Sequence, residues 1–267
     1  MSKANELDQY YTRNDLADAY TRQIIDRFGS HRIYLEPSAG TGAFLTELKG
    51  LQFEAYDLEP KAPGIIEGDF LCQLLPRQDY ITIGNPPFIL DVEFFNKCAE
   101  HSDAVCFIIP RSWRKASVIN RLNYNFHLVH DEDCPKDSFI LHGDAHDVTT
   151  CWQIWERRDV KREKIVFKGD YFTVVKPHED LDIVLRCYGS RSGEILPDDY
   201  SGNETTVRRL RSKIPNLKQI ISSIDWSVRK SNVSSVPTIN PIEIEMEITK
   251  RLNQRIKILS TQSAGHW

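Results

Sequence analysis

The sequence predicts an α/β fold: a Rossmann-like, doubly wound sheet of seven strands followed by a small C-terminal α+β appendage. Three observations predict it. Between residues 32 and 110, five short apolar runs alternate with helical or glycine-rich connections, and each run ends in a polar loop. Two more runs, at 126–130 and 149–155, read as a closing antiparallel pair around a loop at 132–148. Beyond a charged segment at 157–164 the alternation stops, and short strand-like runs punctuated by Gly189, Gly193, Pro197 and Gly202 take over. The expected division is therefore a sheet domain over 1–160 and an appendage over 161–267.

A chain of 267 residues, 40% hydrophobic, can bury one large core, or a core with a small appendage. No stretch approaches the roughly 18–20 apolar residues of a membrane span. Residues 1–6 lack the apolar core of a secretory signal, so the expectation is an intracellular protein, cytoplasmic if bacterial or phage-encoded. The six cysteines are scattered and form no C-x-x-C pair, which predicts reduced, mostly buried thiols and neither a zinc site nor a disulfide framework. The net charge of −4 is uneven: residues 161–267 carry 18 Lys and Arg against 13 Asp and Glu, and the remainder 16 against 25. A basic part behind an acidic body suits a polyanion-binding appendage, and equally a solvated surface.

Taken in order, Gln9-Tyr10-Tyr11-Thr12 precedes a helix that Asn14 or Asp15 can cap, with Leu16, Tyr20, Ile24 and Phe28 as its buried stripe. The two tyrosines and the threonine read as a surface turn or as a pocket mouth. Arg32 to Leu35 is a strand that runs into Glu36-Pro37-Ser38-Ala39-Gly40-Thr41-Gly42 and then a helix to about Leu48. Gly40 and Gly42 let backbone approach a ligand closely. The loop is neither G-x-G-x-x-G nor a Walker loop, and Glu36 suits a cationic or amino-bearing ligand better than a pyrophosphate. A second strand ends at Asp57, placed to accept a ribose diol as in dinucleotide folds. A third short strand or loop at 65–71 offers Asp69 and Phe70, an acceptor and a ring for an adenine.

The fourth strand, Tyr80 to Ile83, enters Gly84-Asn85-Pro86-Pro87-Phe88. Two prolines stop the strand, because neither donates to a ladder and each fixes φ. The stiff turn holds a carboxamide, a carbonyl and an aromatic face. The Asn85 oxygen and the Pro86 carbonyl can each accept one hydrogen of a planar amino group while Phe88 stacks on its ring, which activates a weak nitrogen nucleophile in place. A helix follows at 92–100, then a buried strand at 104–110 whose carboxyl end carries Arg111, Arg114 and Lys115 on the same rim. In doubly wound sheets ligands sit outside the carboxyl ends of the strands, where Glu36, Asp57, Asp69, Asn85 and Arg111 all fall.

These motifs over residues 7–157 resemble the class I S-adenosylmethionine-dependent methyltransferases that modify the N6 amino group of adenine, and their order is similar to that of the gamma group of DNA adenine methyltransferases. The resemblance implies S-adenosylmethionine as cofactor and no metal. It implies Tyr11 and Thr12 at the methionine end, and Glu36, Pro37 and the Ser38–Gly42 loop with Phe44 around methionine and sugar. Asp57 would hold the ribose, Asp69 and Phe70 the cofactor adenine, and Asn85 with Pro86, Pro87 and Phe88 the target base beside the cofactor. Phe88 stands where Tyr often stands in the family. Phe139 is expected as a second face for the base, or as core. The implied partner is DNA, with RNA or a glutamine side chain of a protein as alternative acceptors and a cognate restriction enzyme as a further partner. A non-catalytic nucleic-acid-binding module is the reading of a different class.

In the C-terminal part, runs at 165–167, 171–175 and 182–186 read as strands, and 217–221 and 242–252 as short helices, with a frayed tail from Ser260. Arg208, Arg209, Arg211 and Lys213 form the strongest basic cluster and the candidate phosphate grip. The appendage reads equally as a cap on the sheet.

Overall fold

In the computed structural model, residues 10–141, 143–227, 229 and 236–263 are described. Gln9 of the first motif and the end of the tail, 264–267, lie outside them. The chain divides into two compact units: residues 1–113 with 117–163, and residues 164–267 with 114–116.

The first unit is built on a seven-stranded sheet. Its strands are β2 (Ile33–Glu36), β3 (Gln52–Asp57), β4 (Ile66–Glu67), β5 (Tyr80–Gly84), β6 (Ser102–Pro110), β7 (Phe126–Asp133) and β10 (Thr150–Arg157), in the order β4-β3-β2-β5-β6-β10-β7. The first five are mutually parallel, and β10 runs antiparallel between β6 and β7. This is the Rossmann-like sheet that the strand–helix alternation predicts. The order reverses at β2, so the loops after β2 and β5 face each other across a crevice, where such sheets bind ligands.

The apolar runs are continuous rather than alternating because both faces are covered. Along β6, Ala104, Cys106 and Ile108 enter one core cluster, and Val105, Phe107 and Ile109 the other. Helix α1 (Asn14–Phe28) packs Ala17, Tyr20 and Ile24 into the first cluster, and α2 (Asp91–His101) packs Phe94, Phe95 and Cys98 into the second. Five cysteines are buried and Cys72 is exposed, all as free thiols. No described helix is long and apolar enough to cross a membrane. A second, three-stranded sheet joins β1 (Tyr11–Thr12) to the hairpin β8 (Phe139–Leu141) and β9 (Asp144–His146) in the order β1-β8-β9.

Local expectations fail where tertiary contacts outweigh propensity. Neither Asn14 nor Asp15 caps α1. The N-cap is Arg13, whose side chain pairs with Asp15 instead. The expected helix to Leu48 is one 3-10 turn, Ala43–Leu45, because Gly42 enters it in a left-handed conformation (φ 79°) and the chain turns again at Gly50. The charged segment 157–164 is not a free linker: the Arg162 guanidinium donates to the carbonyls of Leu122 and Ile119 and lies 4.5 Å from the Tyr124 ring centre.

The second unit is a four-stranded antiparallel sheet, β11-β14-β12-β13, with β11 at Phe172–Val175, β12 at Ile183–Arg186, β13 at Ile195–Leu196 and β14 at Val207–Ser212. Its core takes Phe172, Ile183, Leu185 and Leu210 from the sheet, Leu217, Ile220 and Ile221 from a short helix (Leu217–Ser222), and Ile244 and Ile248 from the helix Pro241–Ser263. No strand forms at 165–167, and the last helix continues through Ser260 to Ser263.

Candidate active site

A cavity of about 340 Å³ opens at the carboxyl ends of the parallel strands. Five chain segments line it: Tyr10 to Thr12, the loop after β2, Asp57 to Glu59 after β3, Gly68 to Leu71 after β4, and Asn85 to Leu90 after β5, with Phe94 of α2 behind them. The topology thus gathers Tyr11, Thr12, Pro37, Ser38, Gly40, Phe44, Asp57, Asp69, Phe70, Asn85, Pro86, Pro87 and Phe88 around one space. Glu36 and Gly42 lie behind the lining.

The loop after β2 is held from both sides. Asp57 Oδ2 accepts from the Gly40 amide at 2.7 Å and its Oδ1 from the Glu59 amide at 2.8 Å. Asp57 therefore braces the glycine loop and lines the cavity with the same carboxylate. The Ser38 hydroxyl donates to the Asn85 carbonyl at 3.1 Å, tying this loop to the proline turn. Gly40 sits at φ +48°, and a Cβ there would lie 2.8 Å from the Tyr11 ring, so glycine is what lets the ring close against the loop. Lys61 reaches over that ring, its ammonium 5.3 Å from the centre. Asp69 caps the turn after β4, accepting from the Leu71 amide at 3.0 Å.

Glu36 is 1% exposed. Its Oε1 accepts from the Ser38 amide at 3.1 Å, while Oε2 is buried without a partner. Burial, reinforced by the charge of Asp57, pushes its carboxyl well above the ordinary glutamate value. It lies against Gly84, where a Cβ would come within 2.3 Å of the carboxylate.

At the proline turn the Asn85 side-chain nitrogen donates to the Tyr10 carbonyl at 2.8 Å, and Oδ1 is buried and unpartnered. A carbonyl only accepts, so this bond fixes which end of the amide faces Tyr10. Thr12 Oγ1, on the same wall, is also buried without a partner. Native interiors leave few polar atoms unsatisfied, so Thr12 and Asn85, which both line the cavity, mark a place where a ligand supplies the missing partners. No Lys, Arg or His lines the cavity among the described residues, and Asp57, Glu59 and Asp69 give it three carboxylates. A ligand with positive charge, hydroxyls and an amino-bearing ring fits that donor set.

The sequence reading missed Glu59, Leu58, Leu71, Ile89, Leu90 and Phe94 as lining residues, and placed Tyr10 only at a surface turn or a pocket mouth. Glu59 had a signal, its place two residues beyond Asp57. Trp113 also escaped it: the indole donates to Asp91 Oδ2 at 2.7 Å and pins the start of α2 just after the proline turn.

The expected nucleic-acid contacts divide between the two units, Arg111 and Phe139 in the first and the others in the second. Phe139 is 0% exposed, because β8 pairs with β1 and turns the ring into the core, so it offers no free face to a base. Arg111 is held by the Thr150 carbonyl at 3.1 Å and Asp133 at 3.2 Å. Arg114 and Lys115 belong to the second unit, where the Lys115 ammonium donates to Thr238 Oγ1 at 3.2 Å. The basic cluster at 208–213 is a strand and its end, and a two-residue period splits it. Arg209 is 7% exposed and paired with Glu204 at 2.6 Å, so it holds its own unit together rather than gripping phosphate. Arg208 lies on the opposite side of β14. Arg211 donates to the Asp180 carbonyl at 3.0 Å and remains exposed, and Lys213 donates to the Gly169 carbonyl at 2.7 Å.

No protein-family model matches the chain, and no curated protein matches it. Among solved structures, a 23S rRNA methyltransferase (ErmE) is 14% identical over 57% of this chain and 71% of its own, with a TM-score of 0.43. The N-methyltransferase NodS from Bradyrhizobium japonicum WM9 is 14% identical over 54% of this chain and 96% of its own, with a TM-score of 0.42. A type I restriction-modification system methyltransferase subunit from Streptococcus thermophilus is 11% identical over 56% of this chain, with a TM-score of 0.43, and the match spans 45% of that subunit.

Proposed function

We propose that this protein transfers a methyl group from S-adenosylmethionine to the N6 amino group of adenine in DNA. The observation that carries the reading is Asn85: a carboxamide fixed through its nitrogen by the Tyr10 carbonyl, with a buried, unpartnered oxygen at the wall of a cavity lined by three carboxylates. When bound, S-adenosylmethionine supplies an electrophilic methyl on a sulfonium centre. Asp57 and Glu59 would hold its ribose, Asp69 and Phe70 its adenine, and Tyr11 and Thr12 its methionine end. The acidic lining suits its positive charge.

On the acceptor side, Asn85 Oδ1 and the Pro86 carbonyl accept hydrogen bonds from the two N–H groups of the amino group, one of which gives up its proton to water once the methyl has moved from sulfur to nitrogen. The two oxygens draw the nitrogen lone pair out of the ring and towards the methyl, and they are in place before the reaction begins, so no reorganisation opposes it. Phe88 packs on the base. A base in a duplex reaches such a site only by leaving the stack, at a few kcal/mol, and stacking on aromatic side chains returns about 1–3 kcal/mol. Residues 164–267 are assigned to substrate recognition, with Arg208, Arg211 and Lys213 as the remaining phosphate contacts.

The experiment is transfer of tritiated methyl from S-adenosylmethionine, offered in parallel to duplex DNA, single-stranded DNA and total RNA, with the nucleosides separated afterwards. N6-methyldeoxyadenosine is the expected product. Label confined to RNA moves the substrate and keeps the chemistry, and absence of label from all three with cofactor bound overturns the nucleic-acid reading.

A further inference from the structure

Three rings meet at the wall that carries Asn85. Tyr10 and Phe88 lie 6.2 Å apart, centre to centre, and within 18° of parallel. Phe139 stands across both, 6.3 Å and 73° from Tyr10 and 6.0 Å and 89° from Phe88. Tyr10 and Phe88 line the cavity, whereas Phe139 is buried behind it. The backbone of Tyr10 belongs to the same wall, since its carbonyl accepts from Asn85 Nδ2 at 2.8 Å. One residue thus sets a ring nearly parallel to Phe88 and orients the Asn85 amide, whose oxygen is left buried without a partner.

We propose that Tyr10, and not Phe139, is the second aromatic wall of the acceptor slot, with adenine held between Tyr10 and Phe88 and its amino edge at Asn85. The assignment rests on the methyl-transfer reading above. A planar base in contact with two rings needs about 7 Å between them, two contacts of roughly 3.5 Å each. The observed pair is closer, so entry moves Tyr10 outward by about an ångström or more. Tyr10 is placed for such a movement: it is half-buried and immediately precedes β1, an outer strand of the three-stranded sheet. Phe139, in the central strand of that sheet and wholly buried, is not. The exposed His146 lies 5.4 Å from Tyr10, centre to centre, and within 20° of parallel to it.

The test compares Tyr10→Ala and Tyr10→Phe in methyl transfer to sheared genomic DNA and total RNA, with S-adenosylhomocysteine affinity measured by calorimetry. Tyr10→Ala should lower kcat/KM about tenfold or more, the loss of one base stack. Tyr10→Phe, which keeps the ring, should stay within about twofold of the wild type, and both variants should bind S-adenosylhomocysteine as the wild type does. Three results overturn the assignment while leaving the reading of the site intact: full activity in Tyr10→Ala, an equal defect in Tyr10→Phe, or a parallel loss of S-adenosylhomocysteine affinity. A wild type that labels neither DNA nor RNA overturns the acceptor reading itself, and the slot with it.

Discussion

The side-chain nitrogen of Asn85 donates to the backbone carbonyl of Tyr10 at 2.8 Å, across 75 residues of sequence. The bond uses the end of the amide that an amino-group acceptor does not need, and it leaves Oδ1 buried and free. Asn85→Ala removes that oxygen without touching the loops after β2, β3 and β4. Turnover should fall by about 10²-fold or more, with S-adenosylmethionine affinity close to that of the wild type. Single-turnover methyl transfer and calorimetry measure the two separately, and unchanged turnover would remove Asn85 from the chemistry.

Gly84 is the contact point between the strand that carries the proline turn and the buried carboxylate beneath it. A Cβ there would lie 2.3 Å from Glu36 Oε1 and 2.5 Å from Oε2. Gly84→Ala should destabilise the fold by about 1–3 kcal/mol, the usual cost of overpacking a filled interior. Combining it with Glu36→Ala should cost less than the sum of the two, because the second change removes the atoms that collide. Denaturant midpoints of the two single variants and the double variant give the coupling directly, and strict additivity would contradict the contact.

Glu36 makes stability depend on pH. Burial raises its carboxyl above the ordinary value of 4.5, so over the range between that value and its raised pKa the folded state holds a proton that the unfolded chain has released. Its contribution is therefore complete at low pH and declines as pH rises through that window. Glu36→Gln keeps an acceptor for the Ser38 amide and does not titrate. Its unfolding free energy should fall less steeply with rising pH than that of the wild type. Equal slopes for the two proteins would show that Glu36 is not protonated in the fold.

Arg209 and Arg211 are separated by one residue and have different surroundings. Arg209 is buried against Glu204 and the Tyr200 carbonyl, and Arg211 is exposed. Arg209→Ala should lower the unfolding midpoint and leave the salt dependence of DNA binding unchanged. Arg208 and Arg211 changed together to Ala should reduce that salt slope by up to about two phosphate contacts, with little change in stability. The reverse pattern would return the phosphate grip to Arg209.

The sequence by itself determined the sheet. Fully apolar runs such as 104–109, short and rich in β-branched and aromatic residues, suit a strand buried on both faces, and polar or glycine-rich ends suit the rim. It also determined most of the cavity, because Asp57 ends a strand, Asp69 and Asn85 come within two residues of one, and parallel strands carry all such ends to one side. What only the tertiary structure decided involves partners distant in the chain. Tyr10 gained its place through the Asn85 amide and Phe88, and for Phe139 the pairing of β8 with β1 decided between a face for a base and core in favour of core. The basic run at 208–213 was legible as charge, but Arg209 and Arg211 share one face of β14, and only the placement of Glu204 and the Tyr200 carbonyl against Arg209 set which guanidinium is buried and which meets solvent. Local pattern fixes where a residue lies along a strand, whereas its neighbours across the sheet and in the next loop fix what its side chain can touch.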